Sequence, residues 1–209
     1  MMDIQVLLDK LGFSEDAIAV CNKLHKMNLD IEQAYAEYDN GDEAFAAYLE
    51  KLAAEHNIHA TEANLYLYLR FLERTYRTYQ EKGIDDSIFF DTMKSLSWIS
   101  EKCFNESGVY GIPQVTYRAW YRRHVNATIF RIDRLEFEII GSLYDFDLDG
   151  HHISKGDTCI YVHIPGGSPL DFQECENAYD KAREFFHKGF GFDPVIFYCG
   201  SWLDRKSVV

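Results

Sequence analysis

The chain has 209 residues, 47% of them hydrophobic and 15% aromatic, with a formal net charge of −13. This composition excludes a disordered chain and is enough to build a core without disulfide or metal staples. The negative charge argues against nucleic acid and anionic membrane surfaces as partners, because both would repel it.

In chain order, Ile4, Leu7, Leu8 and Leu11 fall at helical spacing, and Gly12 ends that helix. The N-terminal stretch lacks the basic segment and small-residue cleavage site of a signal peptide. No apolar run approaches the ~18–20 residues of a membrane span, so the expected location is the cytoplasm. Ser14 reads as the N-cap of a helix running to about Met27, and Asp30 as the cap of one reaching Tyr38. Asp39–Asp42 is a turn. Helices are predicted over Glu43–His56 and Thr61–Lys82, the second with a stripe of Leu65, Leu69, Leu72 and Tyr76 and stopped by Gly83. Asp85 or Asp86 opens a further helix to about Phe104.

Gly108–Pro113, with two Gly and one Pro, reads as a linker between a helical N-terminal domain (1–107) and a C-terminal domain (114–209). A helix over Gln114–His124 follows. Strand-like runs come next at Thr128–Ile140, Ser142–Phe146, Thr158–Ile164 and Val195–Cys199, with turns at Asp149-Gly150 and Ser154–Asp157. One helix interrupts them, from Asp171 to about Lys188, with Phe172, Cys175, Tyr179, Ala182 and Phe186 on one face and Asp171 and Glu174 at capping-box spacing. The class is therefore α+β: a helical half, then a mixed, mainly antiparallel sheet with a packed helix.

The five cysteines are odd in number and lack CxxC spacing. They suggest neither a disulfide framework nor a zinc cluster, and Cys159 and Cys199 read as buried free thiols of a reducing compartment. No metal is expected: His151 and His152 would point to opposite faces of a strand. Nucleotide-binding and hydrolase signatures are absent from the text.

Four features can carry chemistry. His163–Leu170, HIPGGSPL, is a Gly-rich turn between strand and helix, where backbone N–H groups meet phosphates. Its Pro165 and Pro169 and the acidic helix start equally fit a rigid, self-capped turn. Arg118, Arg122, Arg123, Arg131 and Arg134 form a basic cluster suited to phosphates, or to pairing with the acidic helical half. Arg134, Glu136 and Glu138 share one face of a strand, either as a base projecting into a cleft or as a solvated row. His163, at a strand end, is a base or a structural histidine.

Trp120–His124 (WYRRH), Phe130–Glu138 (FRIDRLEFE), Val162–Leu170 (VHIPGGSPL), Lys181–Phe190 (KAREFFHKGF) and Cys199–Leu203 (CGSWL) occur in this order. Together they resemble a bacterial family of acyltransferase-domain proteins that pairs a helical N-acyltransferase-like domain with a GNAT-like C-terminal domain. The resemblance implies transfer of an acyl group from the co-substrate acyl-CoA to a small-molecule amine. Gly166, Gly167 and Ser168 would lie near the CoA phosphates, Arg123 and Arg131 would be charge partners, and Glu136 or His163 would be the base. Val195–Cys199 would splay from its neighbour to admit the pantetheine arm. A full GNAT-like domain continues with another helix and two strands, whereas the text leaves the pattern at Asp204–Val209. The expectation is a truncated sheet whose open edge invites a homodimer. The other reading is a non-catalytic binding or scaffold protein on the same fold.

Overall fold

The computed structural model describes residues 4–148, 150–166, 169–194 and 196–200, with the backbone alone for 114–118. These residues form two compact units. One comprises the chain up to Thr78 together with Met93–Asn126; the other comprises Tyr79–Thr92 together with the chain from Ala127 onward.

The first unit is helical: α1 (Ile4–Leu11), α2 (Glu15–His25), α3 (Ile31–Asp39), α4 (Asp42–His56), most of α5 (Ala60–Glu81), α7 (Ser95–Ser107) and α8 (Gln114–Val125). Ser14 and Asp30 cap as their sequence positions predict. Ser14 Oγ accepts from Ala17 N at 3.5 Å, and Asp30 accepts from Gln33 N at 2.9 Å. α5 exceeds its predicted stripe: Leu65 to Leu69, Phe71 and Leu72 are all buried. A helix apolar on all sides belongs at the centre of its layer. Around it Tyr38, Phe45, Tyr68 and Phe71 pack with ring centroids 5.0 to 6.2 Å apart, mostly edge to face. From α8, the Arg122 guanidinium lies 3.9 Å from the Tyr38 ring centroid and donates to the Tyr38 carbonyl and the Asp42 carboxylate.

The stretch 108–113, read above as the linker, lies inside this unit. Ile112 N donates to Thr61 O at 3.0 Å, and the buried Asn64 amide donates to Ile112 O at 2.8 Å. A Cβ on Gly111 would stand 2.5 Å from Thr61 O, so Gly here permits a close approach to α5.

The single helix expected from Asp85/Asp86 to Phe104 is two, α6 (Asp86–Met93) and α7, separated at Lys94. Hydroxyls supply the reason. Thr92 Oγ1 donates to Ile88 O at 2.6 Å and Ser97 Oγ to Lys94 O at 2.9 Å, offering the backbone carbonyls local alternatives to the helical ladder.

The second unit holds a four-stranded sheet in the order β1 (Ile129–Ile132), β2 (Leu135–Gly141), β5 (Thr158–His163), β6 (Phe197–Tyr198), and a hairpin of β3 (Phe146–Leu148) with β4 (His151–Ile153). β1, β2 and β5 are antiparallel, and β6 runs parallel to β5 after the crossover through α9 (Phe172–Phe190). The predicted run Thr128–Ile140 breaks at Asp133-Arg134, because Ile132 pairs with Leu135 across a tight turn. Asp133 takes φ +51 there, the left-handed conformation that a short polar side chain tolerates. Of the predicted run Ser142–Phe146 only Phe146 enters a strand, as the start of β3; Ser142 Oγ donates to Tyr144 O at 2.7 Å, closing a local turn before it.

Asp171 caps α9 by accepting from Glu174 N at 3.0 Å, and Gly191 ends it at φ +72. The buried face is Ala178, Ala182 and Phe186, while Phe172, expected in that stripe, is 77% exposed. The stripe starts a turn later because the cap leaves the first turn at the surface. Tyr179 contacts Phe137 with centroids 5.7 Å apart, and Phe185, Phe186 and Phe190 surround Phe130. Tyr79 and Phe89 complete this core: Tyr79 is 5.6 Å from Phe130 and 5.2 Å from Phe89. The Arg131 N–H on the edge strand β1 donates to Thr92 Oγ1 at 2.8 Å, so the 79–92 segment also satisfies the sheet edge. β6 ends at Tyr198, and Cys199, expected buried, is exposed. No described helix is long and apolar enough to cross a membrane.

Gly111→Ala is expected to destabilise the protein by about 1–3 kcal/mol through overpacking against the Thr61 carbonyl. Gly166→Ala, which has nothing within 4 Å of the added methyl, should stay within about 0.5 kcal/mol. Urea-unfolding midpoints of the two variants test this; equal midpoints would refute the close approach.

Candidate functional site

Successive side chains alternate across a sheet, and the pairing register fixes what meets on each face. Phe130, Phe137 and Val162 share the face of α9, since Phe130 pairs with Phe137 and Phe137 with Val162. On the opposite face Arg131 pairs with Glu136, and Glu136 with His163. Glu138, two residues along β2, pairs with Tyr161 on that same face.

The result is a charged cluster removed from water. Glu136 is 4% exposed and Glu138 9%. The solvated row allowed for by the alternation is therefore buried. His163 Nε2 lies 2.8 Å from Glu138 Oε2, with both side chains largely shielded. The Tyr161 ring flanks the imidazole at 4.8 Å between centroids. The Glu136 carboxylate makes no hydrogen bond among the described residues. Its burial raises its pKa above the ordinary carboxylate value, an effect that the nearby charges of Arg131 and His163 oppose.

The strand carrying His163 leads directly into the Gly-rich turn. Arg134, 7% exposed, spans that turn's described ends: its Nη1 donates to Pro165 O at 2.7 Å and its Nε to Pro169 O at 3.2 Å. Gly166 faces open space where a side chain would be. Gly167 and Ser168 lie outside the described residues, as do Val195 and 201–209. β6 pairs with β5 only at Ile160 and Tyr161. Beyond that point Val162 and His163 keep β2 on one side and, among the described residues, no strand on the other.

The predicted site residues are thus partly gathered. Glu136, His163 and Arg131 share one sheet face, and Gly166 follows at the strand end. Arg123 belongs to the helical unit, where its guanidinium lies 5.2 Å from the Trp120 ring centroid. The arginine cluster is dispersed: Arg122 is engaged by Tyr38 and Asp42, Arg134 by the turn, and Arg118's side chain is not described. The sequence names Glu138 and Arg134 for their strand face, and Arg134 also for the basic cluster, but without the partners they take in the structure. Alternation placed both beside Glu136, but their partners follow from the β2–β5 register, which a single sequence does not display. No group of three or more metal-ligating side chains occurs among the described residues.

Residues 2–127 match the model of the N-acyltransferase N-terminal domain, and residues 129–205 that of the GNAT-like C-terminal domain. A search of curated proteins gave no match. Similar solved structures include an acyltransferase mutant with octanoyl-CoA, at TM-score 0.65 and 19% identity, covering 95% of this chain and 61% of that one. They also include an acyltransferase with decanoyl-CoA and teicoplanin, at TM-score 0.65, 18% identity and coverages of 95% and 61%. A third, with CoA and 10C-teicoplanin, has TM-score 0.66, 17% identity and coverages of 97% and 62%. The fold is therefore shared, and this chain spans about three fifths of the length of those structures.

A carboxyl whose folded pKa is raised adds stability that is complete below its unfolded value and is lost as pH rises through the folded value. Glu136→Gln removes that loss. Its denaturation midpoint should gain on the wild type as pH climbs from the ordinary carboxyl value of 4.5 through the raised one. A wild-type-minus-variant difference that is flat across pH 4 to 8 would refute the buried, raised carboxyl.

Proposed function

We propose, for a chain that belongs to the N-acyltransferase N-terminal domain family and continues into a GNAT-like C-terminal domain, an acyl-CoA-dependent N-acyltransferase acting on a small-molecule amine. The observation that carries the proposal is the buried Glu136–His163–Glu138 cluster at the end of β5, beside the Gly-rich turn and past the last β5–β6 pair. This arrangement supplies proton acceptors next to a strand end where, among the described residues, β5 continues past its last pair with β6, a place for an extended thiol arm to lie along. The acyl-CoA and CoA complexes among the similar structures support acyl-CoA as the co-substrate.

The acceptor enters as an ammonium ion and loses a proton to a base of the cluster. Its nitrogen attacks the thioester carbonyl, the C–N bond forms, and the C–S bond breaks. Glu136 and His163 are the proposed base residues. On the cofactor side, Gly166, Gly167 and Ser168 are the proposed phosphate contacts. Arg131, on the cluster's face, and Arg123 are the proposed charge partners. Gly166 fits that role, since open space lies where a side chain would otherwise stand. Buried free thiols at Cys21, Cys103 and Cys159 fit a reducing compartment, and the proposed location is the cytoplasm.

Thermal unfolding in the presence of CoA, with ATP as a phosphate-bearing control, tests the reading. A ligand at 100 times its Kd adds about 2.7 kcal/mol, raising the midpoint by roughly 5–10 °C for a chain of this size. A saturating shift with CoA and none with ATP is expected; no shift up to millimolar CoA would leave the non-catalytic binding protein as the reading. With an amine acceptor in hand, His163→Ala should lower kcat by ~10²-fold or more. Unchanged turnover in both His163→Ala and Glu136→Gln would remove the base assignment.

A further inference from the structure

Building on that reading, we infer that Glu138 is a positioning residue: it holds the His163 imidazole as its Nε2–H tautomer, so that Nδ1 is the atom that takes the acceptor's proton. The geometry has three parts. Glu138 Oε2 stands 2.8 Å from Nε2, within hydrogen-bond range. An ionised carboxylate accepts and does not donate, so the facing ring nitrogen carries the hydrogen and Nδ1 carries the lone pair. The β2–β5 register leaves little freedom, because Glu136 is His163's direct cross-strand partner, Glu138 is the diagonal one, and Tyr161 flanks the ring on its own strand.

The same geometry divides the roles of the two proposed bases. Glu136 is 4% exposed, whereas the His163 side chain at the strand end keeps 18% of its surface exposed, so the ring is the group that an incoming amine meets. When His163 takes the proton at Nδ1, its Nε2–H still faces the Glu138 carboxylate at 2.8 Å.

The acceptor ammonium gives one proton to Nδ1, its nitrogen forms the C–N bond, and a second nitrogen proton leaves to solvent as the amide forms. The C–S bond breaks toward sulfur, and the imidazolium returns its proton to the CoA thiolate.

Side-chain ¹⁵N NMR of His163, combined with steady-state kinetics, tests this. The wild type should show a protonated Nε2 and an imine-type Nδ1. Glu138→Gln, whose amide oxygen still accepts from Nε2–H, should keep that tautomer and most of kcat. Glu138→Leu should mix the tautomers and lower kcat by at least ~10-fold, with KM for acyl-CoA within about twofold, as expected when only the proton acceptor is misaligned. An Nδ1–H tautomer in the wild type would overturn the inference, as would a Glu138→Leu variant with unaltered ring shifts and kcat. A wild type that keeps the Nε2–H tautomer yet transfers no acyl group to any amine would instead overturn the acyltransferase reading, and the catalytic half of this inference with it.

Discussion

The antiparallel register between β2 and β5 is the constraint on which the rest of the sheet unit depends. Pairing Glu136 with His163 and Phe137 with Val162 assigns one face to aromatic packing against α9 and the other to Arg131, Glu136, Glu138 and His163. A slip of one residue would exchange the faces, placing carboxylates where Phe137 now meets Tyr179 and phenyl rings in the charged cluster. That exchange would bury charges in a hydrocarbon core without partners, which is among the most unfavourable events in folding. The charged cluster and the aromatic core thus hold each other in register.

The same logic explains why charges are tolerated where Glu136 and Glu138 sit. Glu138 is hydrogen-bonded to His163, and Glu136 has Arg131 and His163 across the strands. Each carboxylate is offset by a neighbour of opposite character, as buried ionisable groups require. Arg134 follows the pattern differently, with its guanidinium fitted to two backbone carbonyls flanking a proline-bounded turn. A buried arginine serves here as a brace of the backbone, which a lysine's single ammonium matches poorly.

Much of the fold was legible in the sequence because its signals are local. Spacing and capping residues placed α1, α2, α3, α4 and α9 within a few residues, since Ser14, Asp30 and Asp171 do in the structure what such residues do in isolation. The alternation of Arg134, Glu136 and Glu138 located the strand that carries the charged cluster. What escaped was partly local, where hydroxyls or an unannounced left-handed residue override the periodic pattern, and partly tertiary. The break at Lys94 reflects hydroxyl bonding at Thr92 and Ser97. The turn at Asp133 reflects a left-handed residue with no glycine to announce it. The burial of Glu136 and Glu138 follows from tertiary packing, because alternation alone describes a solvated face equally well.

One feature of the chain path has a temporal meaning. Helix α5 is a single helix whose last turn contributes Tyr79 to the sheet unit, and the chain returns to the helical unit only from Met93 to Asn126. During synthesis Tyr79, Phe89 and Thr92 emerge well before Phe130 and Arg131, their partners in the sheet unit. The helical unit likewise waits for α7 and α8, which are made after that excursion. Neither core is completed in the order in which its residues leave the ribosome. The aromatic side chains of the 79–92 segment stay uncovered for the time needed to add the next forty or so residues, roughly 2–8 s at ordinary elongation rates. Interleaved connectivity makes the nascent chain, rather than the finished protein, the state in which this sequence exposes its most adhesive surface.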